Sequence, residues 1–330
     1  MGYPADADYP VEPHSSYVRV NNDLPYGGLI DGPIERQLFM DRAGAALTRE
    51  DELAVFNNGQ AVYHDDIGDY ASNEPTMDGS AGLTYYFAAM EERGNKFSKM
   101  NVQEDEYGCV VRVNPDKKDI YLVFTADSMF QGADKILKTL KKNKIKGSFF
   151  FTGNALRLDG LKDSIEKIIK EGHYVGGHSD AHLLYADWTR RDSLLVTPQQ
   201  IADDIIANAK ELEKFGISKE DSRWFLPPYE WYNEVSVRVT EKLGYKVINF
   251  TPGTGTSDDY TTPAMANYRS SQQLIDRLYA FEHAEGLDGA VILVHPGIHP
   301  DRIDRLYDRL GEIIHYLAKK GYSFKALNEI

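Results

Sequence analysis

The stretch DIYLVFTADSMFQGADKILKTLKKNKIKGSFFFT, residues 119–152, decides how the fold is read. It opens with an apolar, β-branched and aromatic run at Ile120–Thr125 and then carries apolar residues three to four apart over Ala133–Lys142. A second apolar run follows at Gly147–Thr152. A strand buried on both faces, an amphipathic helix and another such strand make a βα unit of a parallel sheet. The alternation continues downstream, with strands predicted at Tyr174–Gly177, Arg223–Leu226, Lys246–Phe250, Ala290–Val294 and Ser323–Ala326. Helices are predicted at Leu161–Glu171, Pro198–Phe215, Glu234–Leu243, Ser271–His283 and Ile303–Lys319. Seven such strands either close into a barrel or stay open as a doubly wound sheet. In both, chemistry gathers at the carboxyl ends of the strands.

Upstream of about Gly108 the rhythm is different. Residues 1–16, rich in Pro, Asp, Tyr and Ser, read as a flexible tail. Residues 17–105 read as loops around helices at Glu35–Ala46 and Leu83–Arg93, and the α/β domain is expected over 106–330. The charges sum to −14, which disfavours nucleic acid and argues against an anionic polymer as substrate. Cys109 is the single cysteine, so intramolecular disulfides and Cys-based zinc sites are excluded. The opening MGYPADADYPVEPHSSY lacks the basic and apolar regions of a secretory signal, and no run suggests a transmembrane segment. The compartment is open on this reading, and extracytoplasmic if the chain is a mature or truncated form.

The strand ends collect groups that carry chemistry. The first strand runs into Thr125-Ala126-Asp127-Ser128, the third into His178-Ser179-Asp180-Ala181-His182, and the sixth into His295. The fourth runs into Leu226-Pro227-Pro228-Tyr229-Glu230-Trp231-Tyr232-Asn233, where prolines stiffen the loop and aromatics such as Tyr229 and Trp231 suit the face of a sugar ring. His-x-x-x-His by itself decides little, since 9 His in 330 residues give about a quarter of such a pair by chance. Its place after a strand and a Gly176-Gly177 step points to a metal or catalytic role. The bland alternatives are a helix N-cap role for Asp127 and a hydrogen-bonded structural role for His295. Two other motifs fall short. Asp78-Gly79-Ser80-Ala81-Gly82 lacks the first Gly of a nucleophile elbow, and Gly253-Thr254-Gly255 lacks the third Gly and the Lys of a phosphate loop.

Taken in order, these motifs resemble the polysaccharide deacetylases of carbohydrate esterase family 4, the NodB-homology domain, over about residues 108–330. Thr125-Ala126-Asp127-Ser128 corresponds to the family's Thr-Phe-Asp-Asp, and His178 to His182 matches its His-Ser/Thr-x-x-His. Leu226-Pro227-Pro228-Tyr229-Glu230 corresponds to Arg-Pro-Pro-Tyr-Gly, and Leu293-Val294-His295 to Leu-x-His. The resemblance implies a distorted (β/α)7 barrel with a mostly helical or irregular N-terminal extension. It also implies metal-assisted hydrolysis of N-acetyl or O-acetyl groups on a polysaccharide or oligosaccharide. His178 and His182 would hold a divalent metal, Zn²⁺ first with Co²⁺ or Ni²⁺ as alternatives. Asp127 would take the proton of the attacking water, the Tyr229 N–H would share the oxyanion, and His295 would protonate the leaving group.

Departures from the pattern bear on activity. The family's second Asp, a metal ligand, is Ser128 here, which could act only through water. Asp180 or Glu230 are the candidate replacement carboxylates. The Arg that steadies the family's base is Leu226, and Thr256-Ser257-Asp258-Asp259-Tyr260 only loosely echoes Asp-x-x-Asp-Trp. The alternative function is therefore a catalytically impaired, carbohydrate-binding protein. Within 17–105, the motifs around Gly27–Pro33, His64–Tyr70 and Asn73–Asp78 resemble the carboxyl end of a glycoside hydrolase family 9 module. That likeness places a general acid at Glu74, without the second carboxylate a glycosidase needs. The bland reading of Asp65, Asp66 and Asp69 is a solvated acidic loop.

Overall fold

The computed structural model describes residues 13–21, 29–42, 48, 50, 54–55, 57–76, 85 and 100–330. The chain divides into two compact units, Met1–Ser98 and Lys99–Ile330. Among the described residues no helix is long and apolar enough to cross a membrane.

In the second unit, β1 (Val102–Glu104) and β2 (Val110–Val113) form an antiparallel hairpin. Then follow β3 (Asp119–Ala126), α1 (Ala133–Asn143), β4 (Ser148–Phe151), α2 (Gly153–Leu156), α3 (Asp159–Lys170) and β5 (Tyr174–Gly177). Next come α4 (Pro198–Glu213), β6 (Trp224–Phe225), α5 (Glu234–Lys242), β7 (Lys246–Val247), α6 (Ser271–Glu285), β8 (Ala290–Leu293), α7 (Leu310–Lys319) and β9 (Ser323–Lys325). The seven predicted strands are β3 to β9, the sixth and seventh positions by sequence falling on β8 and β9. The sheet order is β7-β6-β5-β4-β3-β8-β2-β1.

β3 is its centre. One edge pairs with β8, from Ala290 against Ile120 to Leu293 against Val123. The other edge pairs first with β9 and then, from Val123 onward, with β4. The sheet curls until Ile248, just past β7, bridges Val110 of β2, and the Asn249 N–H donates to the Val110 carbonyl at 2.9 Å. Curling divides side chains by the two-residue period of a strand. Tyr121 and Val123 join Val110, Phe150, Trp224, Leu226, Val291 and Leu293 inside the barrel. Ile120, Leu122 and Phe124 face outward onto Ile136, Leu140, Ile168, Leu278, Ile313 and Leu317 of the helices. This is a distorted (β/α)7 barrel.

Three details differ from expectation. The β1–β2 hairpin was not foreseen. Its turn is set by Asp105, whose Oδ1 accepts from the N–H groups of Tyr107 and Cys109, and by Gly108 at φ +85°. The helix predicted over Ile303–Lys319 begins as a 3₁₀ turn at Leu306–Arg309 and is α-helical only from Leu310. The preceding segment is instead held by Arg302, fully buried, which donates to the carbonyls of Thr261, Arg269 and Asp304. Gly176 and Gly177 do not make the turn. They allow close approach, since a Cβ at Gly177 would lie 2.4 Å from Asn208 Oδ1.

In the first unit, Leu29–Ile30 pairs with Pro75–Thr76 and Ile34–Glu35 with Ala61–Val62. The expected Glu35–Ala46 helix spans Arg36–Arg42. The one expected at Leu83–Arg93 lies outside the described residues, apart from the helical Tyr85. Of the expected 1–16 tail, 1–12 lie outside them too, while Pro13 is buried and the His14 N–H donates to the Asn73 carbonyl. Asp66 and Asp69 are not a solvated loop: both are buried. Asp66 accepts from the N–H groups of Thr48 and Gly68, and Asp69 from those of Ala71 and Ser72 and from the Ser72 hydroxyl. Glu74 is exposed beside the buried Asn73.

His173, immediately before β5, accepts at Nδ1 from the Gly147 N–H and meets Phe149 edge-on. Burial, with Lys146 nearby, lowers its pKa to about 4. Unfolded chains would take up this proton near pH 6.5, so stability is full above that pH and declines as pH falls toward 4. Thermal midpoints measured from pH 7 to 4 should fall less steeply in His173→Gln than in the parent. Equal slopes would contradict a neutral, buried His173.

Candidate active site

Five strand ends of the barrel deliver the candidate groups. Asp127 leaves β3 with Oδ1 accepting from the Thr152 hydroxyl at 2.8 Å and from Asn154 Nδ2 at 3.3 Å. It caps no helix, because α1 begins after Gly132. His178 leaves β5 fully buried, and two non-glycine residues in the left-handed region, Ser179 at φ 70° and His182 at φ 54°, fold the chain back. The two imidazole centroids come to 5.1 Å. Asp204 on α4, which sequence reasoning passed over, holds this turn. Its carboxylate accepts from the N–H groups of Asp180 (3.2 Å) and Ala181 (2.8 Å) and from the Tyr185 hydroxyl (2.6 Å).

His178 Nδ1 lies 2.8 Å from the Leu226 carbonyl, an acceptor only, so it carries the proton and Nε2 presents its lone pair. Burial, reinforced by His182, drives the His178 pKa far below the usual imidazole range, and burial also lowers that of His182. Both rings are neutral and free to act as donors to a cation. The Leu226 side chain, at the place of the family's Arg, lies inside the barrel core.

His295 behaves in the opposite way. Burial alone would lower its pKa, but Asp259, 2.6 Å from Nδ1, outweighs burial with its charge and hydrogen bond, and the pKa rises to about 9. Asp259 is itself buried, in a 3₁₀ turn at Thr256–Tyr260, and also accepts from the His295 N–H at 3.0 Å. The sequence assigned Asp259 no role. The turn has no periodicity and becomes significant only when it packs under the end of β8.

The Tyr229-Glu230 pair adopts φ 59° and 53° in succession. For residues with a Cβ this conformation costs roughly 1–2 kcal/mol each, so the loop is held there by its surroundings. The Tyr229 ring stacks on His182 at 4.3 Å, Trp188 meets Tyr229 edge-on at 6.0 Å, and Trp231 lies 5.2 Å from Trp188. Tyr229 and Trp188 are exposed, and together with Trp231 they form an aromatic wall beside the histidines. The Arg191 guanidinium fixes this wall, 4.0 Å from the Trp231 ring centroid and 4.1 Å from that of Tyr107. Trp188 was not anticipated.

Ser128 is exposed. Asp180 is bound by both arms of Arg157, at 2.7 and 3.1 Å. Among the described residues no three His, Cys, Asp or Glu side chains stand together as a ready metal site. The His178–His182 pair has the donor chemistry for a divalent ion, with the Nε2 lone pair of His178 set by the Leu226 carbonyl.

Residues 112–248 match the family model for polysaccharide deacetylase. That match lies wholly within the barrel unit. It is similar to the peptidoglycan-N-acetylmuramic acid deacetylase PdaA of Bacillus subtilis, 26% identical over 234 residues that cover 70% of this chain and 78% of that protein. In fold the domain resembles a carbohydrate esterase family 4 pseudoenzyme from Bacillus anthracis, with a TM-score of 0.54 and 20% identity over 68% of this chain and 69% of that one. It also resembles a family 4 acetyl xylan esterase from Clostridium thermocellum solved with a cobalt ion, with a TM-score of 0.50 and 20% identity over 64% and 89% of the two chains.

Asp204→Ala strips the buried Tyr185 hydroxyl and the part-buried N–H groups of Asp180 and Ala181 of their acceptor. Unfolding in urea should show a loss of about 3 kcal/mol, within the range for unsatisfied buried groups. Asp180→Ala removes a partly exposed pair and should cost under about 1 kcal/mol. Equal losses would mean that Asp204 does not hold the turn.

Proposed function

We propose that this chain is a hydrolase that removes acetyl groups from a carbohydrate with the help of a divalent metal. The observation that carries the reading is the opposition of two kinds of imidazole at the barrel's carboxyl end. His178 and His182 are kept neutral, and His295 is kept protonated by buried Asp259. Metal-assisted acyl hydrolysis needs both, donors on one side and a proton source on the other.

Asp127 takes the proton of the attacking water, its Oδ1 fixed by Thr152 and Asn154. His178 and His182 would hold a divalent ion, Zn²⁺ by the imidazole donors with Co²⁺ or Ni²⁺ as alternatives, which when bound would supply Lewis acidity toward the acyl oxygen and a more acidic water. The Tyr229 N–H shares the charge on that oxygen. His295 donates from Nε2 to the departing amine or alcohol, and Asp259 stabilises the imidazolium until it does so. The exposed rings of Tyr229 and Trp188, backed by the half-buried Trp231, bind a sugar ring. The name of the Bacillus subtilis relative supports an N-acetylated glycan of the peptidoglycan type as substrate.

The second reading, a carbohydrate-binding protein with impaired chemistry, is favoured by Ser128 and Leu226 and by the fold shared with a pseudoenzyme. For residues 17–105, the reading as a glycoside hydrolase family 9 remnant rests on sequence motifs alone, and we propose no separate activity for it.

The two readings separate on acetate release from N-acetylated oligosaccharides and acetylated xylan in the presence of Zn²⁺, Co²⁺ or Ni²⁺. In the enzyme reading, His178→Ala loses turnover, and Asp127→Asn and His295→Ala each lower kcat by about 10²- to 10⁴-fold. Glycan affinity without acetate release under any metal selects the binding protein. Undiminished turnover in His178→Ala overturns metal assistance.

A further inference from the structure

Most of α1 and its link to β4 carry lysine at 135, 138, 141, 142, 144 and 146, and no Asp or Glu occurs from Lys135 to Leu158. In a chain whose charges sum to −14, this stretch has the opposite sign. All six lysines are exposed, while Ala133, Ile136, Leu137 and Leu140 of the same helix are buried. Other barrel helices mix signs on their exposed sides, α4 with Asp203, Lys210 and Glu213 and α6 with Asp276, Arg277 and Glu285. Helix stability does not account for the difference. Lys135, Lys138, Lys141 and Lys142 stand three or four residues apart, a spacing at which like charges destabilise a helix. Lys135 also lies near the helix start, where the dipole disfavours a cation. Neighbours offset only part of the charge. Lys135 pairs with Asp308 at 2.7 Å, Lys141 with Glu171 at 3.6 Å, and Lys146 donates to the Glu171 carbonyl. Among the described residues Lys138, Lys142 and Lys144 have no carboxylate partner.

We infer that the exposed face of α1 is a docking surface for a linear, phosphate-bearing polyanion, separate from the groove proposed for the glycan. The face begins beside that groove, because the Gly132 N–H donates at 2.7 Å to the carbonyl of Pro296, next to His295. From Lys135 to Lys142 it then runs about 10 Å along the helix, at about 1.5 Å per residue. Every cation on it is lysine. Ammonium groups act as point charges and suit a phosphate approached from several directions, whereas planar carboxylates are gripped by the guanidinium fork of Arg. The apolar side of α1 is spent in the core, and no large apolar side chain over 131–157 is exposed, so the helix has nothing to insert into a bilayer interface. The aromatic rings of that stretch, Phe149, Phe150 and Phe151, are fully buried, which leaves nucleic-acid bases no stacking partner. The negative charge of the whole chain does not cancel the attraction. Screening acts over about 8 Å at physiological ionic strength, so a polymer on α1 responds to these lysines more than to distant carboxylates.

The test uses the full chain and end-labelled, long-chain inorganic polyphosphate, with affinity read by fluorescence anisotropy over a range of salt concentrations. One variant combines Lys138→Gln, Lys142→Gln and Lys144→Asn. Gln is a good helix former, and Asn tolerates the left-handed φ of 56° at residue 144. The control combines Lys210→Gln, Lys242→Gln and Lys319→Gln, which removes the same charge from exposed positions on α4, α5 and α7. The α1 variant is expected to bind on the order of 10- to 50-fold more weakly at physiological salt, with the slope of log affinity against log salt shallower by about 2. The control should stay within about twofold of the parent, its charges being screened from the polymer. The thermal midpoint of the α1 variant should not fall, since like-charge neighbours are removed. Equal losses in the two variants would reduce the effect to net charge and overturn the docking surface. So would undiminished binding in the α1 variant, or no binding by the parent. Anionic phospholipid vesicles or single-stranded DNA bound through the same lysines in preference to polyphosphate would overturn the assignment to a phosphate polymer. Acetate release takes no part in these measurements, so every outcome is independent of the metal-assisted reading.

Discussion

The parallel pairing of β3 along both of its edges is the constraint on which the rest depends. Because β8 occupies one edge while β9 and then β4 share the other, the carboxyl ends of β3, β4 and β8 are brought level by backbone hydrogen bonds alone. Asp127 and Thr152 follow directly from those ends and His295 two residues past the third, so their approach is fixed largely by the backbone. β5 and β6 extend the same ladder, with Phe225 in register with Gly177, and this sets the Leu226 carbonyl opposite His178. The tautomer of His178 is thus a consequence of strand register.

The apolar runs were legible because a strand buried on both faces must be apolar throughout and a helix covering it must be apolar every third or fourth residue. His178 and His295 could be located for the same reason, as the first polar groups past such runs, and His182 by its spacing from His178. The β1–β2 hairpin was not legible, since its strands are short and its partner strands lie more than a hundred residues away. Asp259 and Asp204 were hidden differently. One sits in an irregular turn and the other among the polar positions of a helix, and each matters only through what it meets after folding. The direction of the Glu230 side chain depends on two consecutive backbone angles that no residue pattern encodes.

The site also shows how burial is made to act with opposite sign on like groups. Every imidazole in it loses solvation, which disfavours the cation. His178 faces the Leu226 carbonyl and neighbouring imidazoles, and even with the Glu230 carboxylate 3.8 Å away it yields to that pressure. His295 faces Asp259 and does not. One environment, divided by the hydrogen-bonded carboxylate of Asp259 with Glu230 adding to it, gives neighbouring histidines of different charge at the same pH.

The aromatic wall has a further consequence, optical rather than chemical. Of the 3 tryptophans in the chain, Trp224 is sealed inside the barrel, while Trp188 and Trp231 flank the histidines. Both belong to the aromatic wall, and Trp231 is stacked against the Arg191 guanidinium. Two of the three indoles therefore stand in that wall, so a ring stacking on it should change the protein's own fluorescence without an added dye.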